Sequence, residues 1–507
     1  MAAKSVGAGI LISRLAGLAR QMLFASYFGQ RTEAADAFTA AFRIPNLLQN
    51  LFGEGALSGS FIPVHAGLRA RGQHDAAGQM ARTFFALLTL AVSIIVLLGV
   101  MAAPLMVTVL TPGFTGPKRD LTIHLVRVLF PGAGFLVASA WCLGVLNSHG
   151  KFLLSYSAPV AWNAAMIATM LYFGDRHGVE WLAMALAWGS VAGSFLQFAV
   201  QAPIAWRLSR HPGRAALTEP VRQAVRNFVP VLVSRGAVQL TAYIDAMIAS
   251  WLPTGAVAAL ANAQTLYTLP VSLFGISISA AELPAMSSDA ASTDGYAALR
   301  ARIDAGLERL AFFVIPSAVA FAALGDVIAA ALLQRGRFEA SDALFVWGIL
   351  AGSSVGLLAT TMARLYSVAH YALGDPKRPL RFALVRLVAV TTLGYLCALV
   401  LPPRLGIAPA WGAAGLTASA GVAGWIEFVL LRANLNRRIG RTGLLASYTV
   451  RLWIAGGAGA GAAWAVRLAL PPLEPLVRAA AVLPVFGAGF LASALVLRLP
   501  VPGLRPR

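Results

Sequence analysis

Five ionisable side chains stand inside the first two long apolar stretches of the chain. Arg14 and Arg20 lie in the first, and Asp36, Arg43 and Glu54 in the second. Such a group costs about 2.5–3.5 kcal/mol at the centre of a membrane helix, even on the mild insertion scale, so it faces a bundle interior or a wet cavity. Asp36 and Arg43 are seven apart, which puts them on one helical face two turns from each other. Arg14 and Arg20 are six apart, about 120° around a helix, so they can border one broad cavity but not one narrow stripe. One reading is a lock of ion pairs between two helices, Arg20 with Asp36 for example. The other is chemical. Three arginines against two carboxylates leave positive charge over, and unpaired charge in a membrane calls for water or an anion. Guanidinium grips phosphate through two parallel hydrogen bonds. The set points to a cationic cavity for a phosphate-bearing substrate.

Membrane helices must position these groups. Of 507 residues 58% are hydrophobic and only 12% charged, with mean hydropathy +0.73. Soluble proteins carry about a quarter charged residues. About 14 apolar segments follow one another, near 5–28, 36–67, 80–110, 121–147, 154–174, 180–206, 224–252, 255–285, 303–333, 341–371, 382–402, 406–431, 445–470 and 476–497. The expected fold is an all-α polytopic membrane protein. With the N-terminus in the cytoplasm, roughly 25 of the 40 Lys and Arg fall in or beside cytoplasmic loops, Arg69, Lys151, Arg207, Arg222, Lys377 and Arg437 among them. Arg31, Lys118, Arg176 and Arg404 fall outside. This bias predicts an even number of spans with both termini cytoplasmic, and it makes the net charge of +20 a topology signal rather than a sign of nucleic-acid binding.

Other chemistries find little support. Cys142 and Cys397 read as packed small apolar side chains. The seven histidines show no metal-ligand spacing, and His65 and His74, near a loop, read as solvated. No GxxxxGK[ST] motif is present, which leaves an ion gradient or the membrane potential rather than ATP as the drive. At about 2.3 kcal/mol per charge per 100 mV, the potential can bias a charged cavity. No enzyme, cofactor or metal is expected. The N-terminus lacks a cleavable signal pattern, and the segment after Lys4 reads as the first helix. Arg127 and Arg364 lie near segment ends and read as snorkelling.

The basic stretch at 207–226 makes a natural hinge. It suggests an N-terminal lobe at 1–210 (helices 1–6), a C-terminal lobe at 211–440 (helices 7–12), and helices 13–14 at 441–507. A weak echo supports two related halves. Segment two carries Pro45, Phe52-Gly53, Ser58 and Pro63, and segment eight carries Pro270, Phe274-Gly275, Ser279 and Pro284. Paired Gly/Pro-interrupted segments mark transporter sites. Segment thirteen (IAGGAGAGAAWAV) is nearly all small residues, which allows close helix contact.

The run SRLAGLARQMLFASYFG (13–29), followed by DAFTAAFRIPNLLQNLFGEGALSGSFIPV (36–64), resembles the N-terminal signature of the MurJ/MviN family. Further runs agree in order: TPGF (111–114), LNSHGKF before an Ala-Pro pair and Asn163, LPVSLFGISISAAELP (269–284), QRGRF (334–338) and YALGDPKRP (371–379). That family comprises lipid II flippases of bacterial cell-wall synthesis, within the multidrug/oligosaccharidyl-lipid/polysaccharide exporter superfamily. The resemblance implies 14 helices in two pseudo-symmetric six-helix lobes plus two C-terminal helices that help form a groove for the lipid tail. It also implies a central cavity of alternating access, a bacterial inner-membrane location and a monomer. It matches Arg14, Arg20 and Asp36 to functional positions and Glu54 to the EGA motif. The chain departs from the pattern at Gln49 and Asn50, where basic residues usually follow PNLL, and at Thr265, where an arginine is usual. Arg235, Asp245 and Glu282 are unusual charges. Either Arg235 pairs with Asp245 or Glu282, or it faces the cavity and joins a substrate-binding set of Arg14, Arg20, Asp36, Arg43, Glu54 and Arg235. The expected function is a lipid II flippase. The alternatives are a diverged paralogue for another polyprenyl-linked glycan or amphipathic compound, and a transport-inactive cell-wall scaffold. The expected partners are lipid II, membrane lipids and a coupling ion, with no nucleic acid.

Overall fold

Apolar segments of this length must satisfy their backbone hydrogen bonds internally, and helices do so within one segment. The computed structural model describes residues 2–52, 54–210, 216–290 and 295–500, and it is helical throughout, without strands among the described residues. The chain forms two compact units: 1–257 with 335–337, and 258–334 with 338–507.

The first unit holds α1 (Ala2–Phe28), α2 (Glu33–Phe52), α3 (Glu54–Ala70), α4 (His74–Met101), α5 (Ala103–Leu110), α6 (Gly116–Ser148), α7 (Phe152–Ser157), α8 (Pro159–Phe173), α9 (Val179–Leu208) and α10 (Glu219–Ser250). The α6 helix is central, packing on α2, α3, α4 and α9, while α1 lies on α7 and α8. Its core gathers Leu57, Phe61, Met80, Phe84, Trp141 and Val145. The Trp141 indole N–H, fully buried, donates to the Ala81 carbonyl at 3.0 Å, so the largest core side chain leaves no donor unsatisfied.

The second unit holds α11 (Ala256–Pro270, whose first two residues belong to the first unit), α12 (Ser277–Ala290), α13 (Gly295–Leu333), α14 (Ala340–Ala372), α15 (Lys377–Tyr395), α16 (Leu401–Arg404), α17 (Gly412–Ile439), α18 (Ala446–Ala469) and α19 (Pro475–Val496). Wide π turns at Val271–Ile276 and Leu396–Val400 join α11 to α12 and α15 to α16. The α14 helix packs on α17 through Gly352 and Gly356, and one turn earlier Gly348 meets Trp411 just before α17. A Cβ on Gly356 would lie 2.3 Å from the Cα of Gly421, and one on Gly424 would lie 3.0 Å from the Thr360 methyl. Only small residues permit such backbone contact. Segment thirteen behaves as expected at Gly459, where a Cβ would lie 2.8 Å from the Phe486 carbonyl of α19.

Among the described residues each of the 14 apolar segments appears as helix, and four of them are interrupted by a short turn or a π turn. Eight helices among the described residues are long and apolar enough to cross a membrane by length and composition alone. In the stretch matched to segment two, Phe274-Gly275 lies inside the π turn between α11 and α12, while Gly53 lies outside the described residues.

Candidate functional site

An aromatic ladder connects α1 to α2. Phe24 and Phe28 stack at 4.4 Å between ring centres, Phe24 meets Phe38 at 5.4 Å, and Phe38 meets Phe42 at 5.6 Å. Arg20, Phe24 and Phe28 are spaced by four, as are Phe38 and Phe42, so each set shares a helical face. The ladder ends on Trp162 of α8, nearly parallel to Phe42 at 5.5 Å. Its indole N–H donates to the Ser190 hydroxyl of α9 at 3.1 Å, which fixes the ring.

The Arg20 guanidinium sits at this end, 5.2 Å from the Phe42 centroid and 5.4 Å from that of Trp162. One Nη lies 3.7 Å from the Met166 sulfur, and Nε is buried without a hydrogen-bond partner. Aromatic faces hold a partly desolvated cation by about 2 kcal/mol, and a thioether is a weak acceptor. Arg20 is thus held in place by groups that leave its hydrogen-bonding capacity open.

Asp36 does not pair with Arg20. Its carboxylate, 1% exposed, lies 2.7 Å from the ammonium of Lys118 and accepts the Gly255 backbone N–H at 2.8 Å. Gln30 donates to the Gly255 carbonyl at 2.7 Å, so both backbone groups of this residue are held. Gly255 has φ +99°, a conformation that glycine adopts freely. The charge pattern assigns Lys118 to the outer side of the membrane. It is buried in the first turn of α6, over the Phe114 ring at 4.2 Å. Asp36 compensates a cation held against the positive end of a helix.

Arg43 is half-buried on α2. The Tyr243 hydroxyl of α10 donates to its carbonyl at 2.9 Å, and Asp245 pulls on its charge. Arg14 is exposed on α1, two turns before Arg20. Neither Arg14 nor Arg20 has a carboxylate partner among the described residues. The Asp36 carboxylate is thus engaged by Lys118 rather than by Arg14 or Arg20. The side chains of Glu54, Arg235 and Gln49 lie outside the described residues. Glu282 is bridged within the second unit by Arg309 at 3.1 Å and Arg302 at 3.5 Å. The Thr265 hydroxyl donates to Ala261 at 2.9 Å and supplies no charge. His65 is buried beside Phe61 rather than solvated.

Sequence reasoning missed Lys118, Phe42 and Trp162. The only local signal for Lys118 is its place just after Pro117 at a helix start. Nothing local marks Trp162 as a partner of Arg20.

A family model described as "Lipid II flippase MurJ" matches residues 24–470, which is most of the chain. The chain belongs to the MurJ family. It is 31% identical to the lipid II flippase MurJ of Burkholderia cenocepacia over 438 residues, covering 84% of this chain and 82% of that protein. It is 32% identical to the probable lipid II flippase MurJ of Rhizobium tropici over 448 residues, 86% of this chain and 80% of that one. The fold matches a solved lipid II flippase MurJ in an inward closed conformation with TM-score 0.79 at 20% identity, covering 97% and 98% of the two chains. It also matches an inward-facing multidrug resistance MATE transporter of the MOP superfamily with TM-score 0.67 at 16% identity, over 83% and 94%. MurJ proteins are transporters rather than enzymes, and this member is a multi-pass protein of the bacterial inner membrane.

Proposed function

We propose that this chain moves lipid II, the undecaprenyl-pyrophosphate-linked peptidoglycan precursor, from the cytoplasmic to the periplasmic face by alternating access. The reading rests on family membership and on one geometric observation. Arg20 is clamped between Phe42 and Trp162, and among the described residues it has no carboxylate partner and only the weak Met166 thioether as a side-chain acceptor. A fixed guanidinium with open donors suits a pyrophosphate, whose oxygens accept paired hydrogen bonds. Arg14 adds charge on the same helix and Arg43 on α2. Glu54 and Arg235 complete the substrate set. We assign to Asp36 the task of holding α2 against α6 and the Gly255 peptide. The halves 1–210 and 211–440 act as the two lobes, with 441–507 appended, both termini cytoplasmic and the protein monomeric. The membrane potential or an ion gradient drives the cycle.

Expression in a strain depleted of its own lipid II flippase tests this. The wild type should restore growth, and Arg20→Gln should not, at equal membrane level. If the wild type fails, the flippase reading falls. Full activity in Arg235→Ala beside a dead Arg20→Ala would remove Arg235 from the set. The uncharged Thr265 favours a second reading, export of another polyprenyl-linked glycan. Failed rescue together with transport of such a glycan would establish it.

A further inference from the structure

The second unit carries a set of charges that the flippase reading leaves unused. On α14, Ser353, Thr360, Arg364, Ser367 and Tyr371 recur at spacings of seven, four, three and four, which is one helical stripe. Arg364 and Tyr371 are exposed, and the other three are half-exposed. The opposite face, with Leu357, Leu358, Met362 and Leu365, is buried. The α14–α17 register sets Gly356 on Gly421 and Thr360 on Gly424, so one turn further on Arg364 meets the level of Glu427. From α15, Arg386 reaches Glu427 at 2.9 Å. The Tyr267 hydroxyl of α11 meets the Thr360 hydroxyl at 3.1 Å.

Depth follows from a second contact between the same two helices. Arg378 of α15 donates to Asn434 of α17, and Asp375 lies 2.9 Å from Arg378 and 3.7 Å from Arg438. We take that charged layer as the level of the membrane surface. Arg386 and Glu427 lie eight and seven residues inward from it, about 10–12 Å at 1.5 Å per residue. Arg364 is at the same level, beyond a simple reach to the surface. Glu427 engages Arg386, and among the described residues Arg364 has no hydrogen-bond or ion-pair partner. Two guanidinium groups therefore face one carboxylate, and the Nε of Arg386 is buried without a partner. Arg364 and Arg386 also repel each other. Cations placed so deep and so close call for an anion.

We propose that Arg364 and Arg386, with Tyr267 and Tyr371 beside them, form a site for the phosphate group of an amphiphile on this face of the second unit. Phosphate oxygens accept from both guanidiniums and relieve their repulsion, while the apolar tail stays in the bilayer. The inference deepens the flippase reading and rests on it: α11 offers Thr265 without charge, and this stripe supplies cations within the same unit.

The test uses full-length protein in phosphatidylcholine nanodiscs, titrated with farnesyl pyrophosphate. Arg364→Gln should weaken binding about tenfold, the worth of one charge-assisted hydrogen bond, and Arg364→Lys should recover part of it. Arg386→Gln strands Glu427, so Arg386→Gln with Glu427→Gln is the second variant, with the same loss expected. A parallel arm measures phosphatidylglycerol retained on the protein by native mass spectrometry. Loss of retention in the variants with unchanged farnesyl pyrophosphate affinity supports the site and makes a bulk phospholipid its occupant. Wild-type behaviour of both variants toward both probes overturns the proposal. Complementation by the wild type separates the two levels: growth without any variant effect on binding defeats this site alone, and no growth defeats the flippase reading.

Discussion

Replacing Asp36 with Asn removes a charge and keeps an oxygen to accept the Gly255 N–H, so it isolates the pairing with Lys118. The pair is 2.7 Å long, with side chains 1% and 9% exposed. Breaking a buried pair from one side costs about 3–5 kcal/mol, because the other charge stays buried without a partner. At about 2–4 °C per kcal/mol for a unit of this size, the melting temperature should fall on the order of 10 °C. Lys118→Met should fall similarly. The double variant buries no lone charge and should recover most of the loss, which a double-mutant cycle reads as a coupling of about 2 kcal/mol or more. The assay is built into the chain. Cys142 is fully buried in the first unit, so labelling by a thiol-reactive fluorophore on heating, in a Cys397→Ala background, reports unfolding there. Shifts under about 2 °C for each single variant, or a double variant equal to their sum, would refute the reasoning. Recovery of complementation in the double variant would further place Asp36 among positioning groups.

Phe42→Ala and Trp162→Ala each remove one wall of the Arg20 clamp, and each should lower transport of lipid II into vesicles about tenfold, as the loss of roughly 1–2 kcal/mol implies. Equal rates in both would separate Arg20 from its clamp. Gly356→Ala forces a Cβ onto the Gly421 backbone, and it should lower the melting temperature of the second unit by several degrees, from about 1–3 kcal/mol of overpacking. Thermal unfolding followed by circular dichroism measures this. Burial holds His149, in the turn after α6, below the usual histidine range, with Arg69 and Lys151 adding to the effect. The unfolded chain then binds more protons, so stability is present above about pH 6.5 and declines as the pH falls below it. His149→Gln should flatten that decline, and an unchanged pH profile of melting would count against it.

The fold class was legible because the apolar run length is nearly a direct statement of a membrane helix. Arg20 was legible for the same reason, since a charge stands out within such a run. Its surroundings were not. Phe42 lies 22 residues from Arg20 and Trp162 lies 142 away, and an aromatic in an apolar segment carries no mark of its partner. The partner of Lys118 was not legible because a cation at the edge of an apolar run looks the same whether it is solvated or turned inward to a carboxylate 82 residues earlier. Arg364 reads as snorkelling from the sequence, and the paired contacts of α15 with α17 are what the proposed phosphate site sets against that reading. The Gly348, Gly352, Gly356 spacing was visible in the sequence, but its meaning depended on which helix lay opposite.

That glycine seam also has a mechanical consequence. Slipping α14 along α17 by one residue would set Leu357 against the Gly421 backbone, where even a single carbon on Gly356 does not fit. The two helices are therefore zipped in one register and behave as a single beam. Any bending in the second unit is passed to the wide turns at Val271–Ile276 and Leu396–Val400, where the helical hydrogen-bond ladder is already loosened.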